Sequence, residues 1–119
     1  MLAVAVWVVT LAVAAGSGLA LWHLRDIDGE SQPPFAAGIA HGVVGTIGLI
    51  LLLLALRGPA RGIASGVGSF GTIAAVLFGA ALLTGAVMLF LRRKAVVIAI
   101  HAGLAITGYV LLLAWDSFD

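Results

Sequence analysis

Two histidines in repeated segments are the side chains in this sequence most suited to chemistry. His41 begins the segment HGVVGTIGLILLL and His101 begins HAGLAITGYVLLL, so each histidine precedes by seven residues a glycine that is followed by a leucine-rich run. Both segments are otherwise apolar, and an ionisable side chain inside a membrane span is costly and usually faces a partner. The repetition therefore predicts that His41 and His101 share one ligand.

The composition predicts an integral membrane protein. Of the 119 residues, 63% are hydrophobic and 9% are charged, with a mean hydropathy of +1.25, and such values are unusual for a soluble domain. Spanning a bilayer takes about 20 apolar residues per helix, and four runs are long enough. They predict an all-α, four-transmembrane-helix up-down bundle forming a single membrane domain over residues 1–119, with helices at about 2–24, 36–56, 69–91 and 95–115.

Several classes of function are disfavoured by the same composition. A net charge of +1 with only six Lys and Arg argues against nucleic acid as a partner. Cysteine is absent, which excludes disulfides, thiolate ligands and Cys-attached haem. The four predicted spans contain no Asp or Glu, which argues against proton-coupled transport by carboxylates.

The chain is predicted to be a duplicated helical hairpin. SGLALWHLR at the end of the first helix aligns with TGAVMLFLR at the end of the third at an offset of 67, whereas the second and fourth helices align at an offset of 60. Two hairpins of the same orientation would be related by a pseudo-twofold axis along the membrane normal. The second and fourth helices would then lie on a diagonal and direct equivalent residues at each other.

The two histidines are expected at one depth. With a rise of about 1.5 Å per residue, His41 lies roughly 8 Å and His101 roughly 10 Å inside its helix. Both helices start at the membrane face that carries the connections at 25–34 and 92–94, here called the histidine side. Small residues follow each histidine on the same helical stripe and would leave space for a flat macrocycle: Gly45 and Gly48, and Ala105 and Gly108.

These features lead to the hypothesis that His41 and His101 are the axial ligands of the iron of one b-type haem, for which neutral imidazole is a normal ligand. A ligating histidine usually donates its second ring N–H to an acceptor. Ser17 and Thr84 are candidate acceptors, although their hydroxyls can equally bond the backbone of their own helices. Cations on the histidine side, including Arg25 and Arg92, would suit haem propionates.

Two other interpretations remain open at this stage. The glycine stripes can serve helix packing alone, in a structural or accessory subunit whose histidines form polar links. A weaker alternative is a metal or small-solute transporter, with zinc held by His23, His41 and His101. His23 is otherwise explained as an interfacial residue beside Trp22.

The pattern on the second and fourth helices resembles four-helix haem-b membrane subunits, such as cytochrome b561-type proteins and the membrane anchors of respiratory dehydrogenases. The resemblance implies His41 and His101 as axial ligands, Gly45, Gly48, Ala105 and Gly108 as packing positions, and electron transfer with a quinone or a larger redox partner. The single buried histidine pair departs from the two-haem pattern of several such families.

The sequence also leads to predictions about the membrane location and the assembly of the protein. The bilayer is the predicted environment, in a cell inner or plasma membrane. Four Lys and Arg on the histidine side against two on the other predict that the histidine side is cytoplasmic. Trp22 on one face, and Trp7 and Trp115 on the other, are predicted to form interfacial belts. A redox partner, a larger membrane complex or a homo-oligomer would each be compatible with the sequence.

Overall fold

The structure, a computed structural model, describes residues 1–25, 32–91 and 95–118. It consists of four helices: α1 (Leu2–Arg25), α2 (Phe35–Ala55), α3 (Phe70–Phe90) and α4 (Ala95–Ser117). Each helix begins and ends within two residues of the predicted bounds. The all-α four-helix prediction is therefore confirmed.

All four helices are long and apolar enough to cross a membrane, and the chain is accordingly an integral membrane protein. A helix suits that environment because every backbone N–H and C=O inside lipid must be paired within the segment. The start of α2 follows from its two prolines, since Pro34 has extended backbone angles, φ −64° and ψ 148°. The residue before a proline is disfavoured in the helical region, so Pro33 stays outside the helix, and Pro34 is the N-cap after which the helix begins at Phe35.

The helices form an antiparallel bundle with principal extents of 51, 21 and 19 Å. Contacts join α1 to α2, α2 to α3, α3 to α4, and α1 to α4. Helices α2 and α4 therefore lie on one diagonal, and α1 and α3 lie on the other. This is the arrangement that short connections predict for sequential helices.

One end of the bundle, here called the packed half, contains the hydrophobic core. Leu52 of α2 and Leu112 of α4 are fully buried there, and Phe78 of α3 is 8% exposed. The ring of Trp115 lies so close to Gly71 that a Cβ on that glycine would be 2.7 Å away. Trp115 is only 4% exposed, so the prediction that it belongs to an interfacial belt is wrong. Trp7, at 70% exposed, and Trp22, at 45% exposed, do lie on the surface.

The connection between α2 and α3 closes the packed half. Gly62 and Gly66 have positive φ angles of 69° and 77°, which glycine adopts at little cost. These angles let the chain turn so that the Val67 N–H donates to the Gly62 carbonyl at 2.9 Å. Val67 is consequently buried and joins the hydrophobic core.

The two hairpins repeat each other in burial as well as in sequence. Every position in 35–53 has the same burial class as its counterpart in 95–113, which supports the offset of 60. For α1 and α3 the matching offset is 69, as three pairs of buried residues show: Ala5 and Ala74, Val9 and Phe78, and Ala12 and Ala81. The predicted offset of 67 is wrong by two residues, because recurring glycines and leucines align in several registers while packing selects one.

Candidate functional site

The imidazole rings of His41 and His101 meet between the two diagonal helices. Their centroids are 6.0 Å apart and their planes are inclined at 80°. Since α2 and α4 have no direct helix contact among the described residues, these side chains reach across the core. The two rings therefore approach at one level, as the hairpin repeat predicts.

His101 is held by the backbone of α3. Its Nδ1 lies 2.8 Å from the carbonyl oxygen of Ala81, and because a carbonyl can only accept, Nδ1 carries the proton and donates. The Thr84 hydroxyl lies 3.3 Å from the same nitrogen. This arrangement leaves the lone pair of His101 Nε2 as the free ligating position, as in metal-binding histidines whose second nitrogen is fixed by a carbonyl.

His41 occupies the corresponding place against α1. Its ring lies against the backbone of Ala12, the residue that matches Ala81 at the offset of 69. Its Nδ1 is buried and has no hydrogen-bond partner among the described residues. An apolar interior normally satisfies buried polar atoms, and a small movement of the ring toward the Ala12 carbonyl would give this nitrogen the same kind of partner that His101 has in Ala81.

A cavity of about 920 Å³ surrounds the two rings. Ligand pockets commonly measure roughly 300–1,000 Å³, so the space is at the upper end of that range. The space stays open because all four helices contribute small residues to its wall. These residues include Ala12, Gly16, Ala20, Gly42, Gly45, Ala81, Gly85, Ala102 and Ala105. This end of the bundle is called the cavity half below.

The four predicted small-residue positions divide into two groups. Gly45 and Ala105 line the cavity, as expected for residues beside a bound group. Gly48 and Gly108 do not: a Cβ on Gly48 would be 2.8 Å from Val9, and one on Gly108 would be 3.1 Å from Phe78. These two glycines are contact points between the helices of one hairpin, because they lie one turn further toward the packed half.

The predicted acceptors are not the main partners of the histidines. The Ser17 hydroxyl donates to the Val13 carbonyl at 2.8 Å, and Thr84 donates within its own helix to the Ala81 carbonyl at 2.9 Å. Bonding within the helix, the alternative weighed from the sequence, is thus what both hydroxyls do. Thr84 in addition lies near His101, whereas Ser17 lines the cavity without being placed as a histidine acceptor.

The predicted cations are only partly described. Arg25 is the exposed last residue of α1, directly after Leu24, which lines the cavity. Arg92 lies outside the described residues. A role in pairing with anionic groups at this end of the cavity therefore stays a prediction for both.

His23 lies near the same end of the cavity and forms a hydrogen bond with Gln32 through its Nδ1. Among the residues that the structure describes, no three His, Asp or Glu side chains converge as a metal-binding group. The zinc site of His23, His41 and His101 is therefore not formed by these residues. His23 lines the cavity but stands apart from the facing pair.

Sequence reasoning missed the two glycines against which the histidine rings pack. A Cβ on Gly16 would be 2.7 Å from His41 Cε1, and a Cβ on Gly85 would be 3.1 Å from His101 Cε1. Gly16 and Gly85 are separated by the structural offset of 69. An alignment of the first and third helices in that register would have paired them, but the pairing depends on how each hairpin packs.

No protein-family model, curated protein or solved structure matches the chain.

Proposed function

We propose that the protein binds one haem b between His41 and His101 and carries electrons within a membrane. The observation that carries the proposal is the pair of facing imidazoles, 6.0 Å apart, in the wall of one large cavity. A flat group bound there would be held by both hairpins. The proposal agrees with the resemblance of this pattern to haem-b membrane subunits.

The spacing of the two rings suits ligation of a single metal ion. Imidazole nitrogens bind first-row metals at about 2.0 Å. If both rings bound one ion from opposite sides, the two metal–nitrogen distances and the two nitrogen-to-centroid distances would together place the ring centroids roughly 6 Å apart. His101 supports this fit because its Nδ1–H is already donated to Ala81. The remaining nitrogen of each neutral ring is of the kind that haem iron takes.

The cavity suits an apolar macrocycle. Its wall at the level of the histidines consists mainly of glycine, alanine and aliphatic residues, which leave space and present an apolar surface. A haem b bound there would supply a one-electron iron couple, whose potential depends on axial ligands and burial. The protein's own part is to supply two imidazoles, to fix the His101 ring and to surround the group with mainly apolar residues.

The accessory-subunit alternative explains only part of the bundle. Gly48 and Gly108 are indeed helix contacts, as that interpretation requires. It gives no reason for a cavity of about 920 Å³ at the level of two facing histidines, since tight packing would have removed the space. Proton-coupled transport by carboxylates is disfavoured because Asp116, near the end of α4, is the only acidic residue within the four described helices.

A visible spectrum of detergent-purified protein from haem-replete cells tests the proposal. The reduced protein is expected to show the sharp α-band of a six-coordinate, low-spin b haem. His41→Ala and His101→Ala should each abolish it, because one axial ligand is lost. His23→Ala is the matched histidine control and should keep the band, since His23 bonds Gln32 instead of facing the pair.

Two results would contradict the proposal. One is a colourless wild-type preparation from such cells. The other is an α-band that survives in both His41→Ala and His101→Ala, since haem would then be bound elsewhere.

We further propose the setting in which these electrons move. The bilayer is an inner or plasma membrane, and the histidine side faces the cytoplasm, as its excess of Lys and Arg favours. Electrons would exchange on that side with a redox partner, a larger membrane complex or a quinone. If the chain forms a homo-oligomer, the purified haem protein will elute above monomer size. Arg25 and Arg92 would bind the haem carboxylates there.

A further inference from the structure

Two glycines outside the ligand pair lie against its imidazole rings. Each hairpin places a glycine of its first helix against the Cε1 edge of the histidine on its second helix: Gly16 against His41 and Gly85 against His101. Both rings thus occupy space that exists only because the facing residue has no Cβ. Any larger side chain there requires the ring to turn or its helix to shift.

The clearance at these two glycines is smaller than at one other glycine of each helix. A Cβ on Gly16 would be 2.7 Å from the ring of His41, a distance that forces a displacement, and one on Gly85 would be 3.1 Å from the ring of His101. By contrast, a Cβ on Gly18 of α1 or Gly79 of α3 would meet nothing within 4 Å. Gly18 and Gly79 are therefore matched positions at which an alanine would touch neither ring.

The relative orientation of the two imidazole rings would matter for a bound iron. The planes of the two imidazoles are inclined at 80°, close to a right angle. On a bound iron, each ring would donate π-electron density to the d orbital that is perpendicular to the plane of that ring. Rings at right angles would act on two different d orbitals and keep them close in energy, whereas parallel rings would act on one and separate the two.

We propose that Gly16 and Gly85 are positioning residues that keep the His41 and His101 planes nearly perpendicular, and so set the electronic state of a bound haem iron. This inference rests on the proposed haem function. The carbonyl of Ala81 fixes where the His101 Nδ1 points, and the missing Cβ of Gly85 leaves the space that this ring orientation occupies. For His41, the missing Cβ of Gly16 leaves the corresponding space.

Electron paramagnetic resonance of the ferric protein tests the inference. Nearly degenerate d orbitals give a strongly anisotropic low-spin signal with a large highest g value. Gly16→Ala and Gly85→Ala are expected to lower that value, and the change should be larger for Gly16→Ala because its clearance is smaller. Gly18→Ala and Gly79→Ala are the matched controls and should leave the signal at its wild-type position.

The outcomes separate this inference from the proposed function. A wild-type protein without haem overturns both. Haem present with His41 and His101 as ligands, but with the same highest g value in all four alanine variants, overturns the positioning role alone. If Gly16→Ala fails to fold, Gly85→Ala decides: a lowered g value beside an unchanged Gly79→Ala supports the inference, and an unchanged one overturns it.

Discussion

The packed half and the cavity half are formed by the same four helices, yet their cores differ in side-chain size. In the packed half, Leu52, Leu112 and Trp115 fill the space between the helices. In the cavity half, the residues facing inward at the level of the histidines are largely glycine and alanine. The first arrangement stabilises the bundle by contact, and the second leaves space beside two polar rings.

The comparison shows how small residues can have opposite roles on one helix. Gly45 and Gly48 of α2 lie one turn apart, and the same is true of Ala105 and Gly108 of α4. The member nearer the histidine lines the cavity, while the other receives a side chain of the neighbouring helix. A small residue therefore indicates either close packing or free space, depending on what faces it.

Filling the cavity half should have the largest effect on function. Gly45→Leu is expected to abolish haem binding, because its side chain enters the space beside His41, while the helices stay folded since a Cβ there meets only Leu82 at 3.7 Å. Absorbance gives bound haem and circular dichroism gives helix content. Gly103→Leu is the control, since a Cβ at Gly103 meets nothing within 4 Å; equal haem loss in both variants would contradict the comparison.

Truncating buried side chains of the packed half should lower the free energy of unfolding. Leu52→Ala and Leu112→Ala remove fully buried side chains and should each lower the free energy of unfolding by about 2–3 kcal/mol, the lower part of the range for such changes. The lower part applies because lipid is as apolar as the core, so mainly packing contacts are lost. Unfolding in mixed micelles measures the change, and Leu83→Ala, at a residue 72% exposed, should cost little. Equal losses at Leu52 and Leu83 would count against a packed core.

Adding a Cβ to a close contact in the packed half should lower the free energy of unfolding by a smaller amount. Gly48→Ala places a Cβ 2.8 Å from Val9, and we expect a loss of about 1–2 kcal/mol in the free energy of unfolding from overpacking. Gly42→Ala on the same helix meets nothing within 4 Å and should be neutral or stabilising, because alanine has a higher helix propensity. The same unfolding assay compares the two, and a destabilised Gly42→Ala would refute the distinction.

The polar link in the packed half should have the smallest effect. The Tyr109 hydroxyl lies 2.9 Å from Thr10 Oγ1, which itself donates to the Val6 carbonyl, so the tyrosine donates to the threonine. Tyr109→Phe should lower the free energy of unfolding by about 1 kcal/mol and leave the haem spectrum unchanged. A shifted α-band in this variant would show that the two halves are more strongly coupled than their separation suggests.

Much of the fold could be predicted from the sequence because hydropathy alone marks four membrane spans. The duplication of the His41 segment at His101 also predicted that the two rings meet, since equivalent residues of a pseudo-twofold bundle face each other across the core. The first inference depends on features within single helices. The second depends on the offset of 60 between the two histidine segments.

The features that the sequence did not predict, or predicted wrongly, depend on the register between helices. Gly16, Gly85 and Ala81 could not be assigned because the register of α1 against α3 is set by packing, and the sequence favoured an offset of 67 over 69. Trp115 is buried for a similar reason: it packs on Gly71, a contact between distant residues that the terminal position of the tryptophan does not reveal.

The central claim is that the cavity half binds one haem through both histidines, and haem titration of the purified apoprotein tests it most directly. The predicted result is saturation at one haem b per chain with a six-coordinate low-spin spectrum, and no such spectrum for the His41→Ala/His101→Ala double variant. Absence of saturable binding, or an identical titration for the double variant, would contradict the claim.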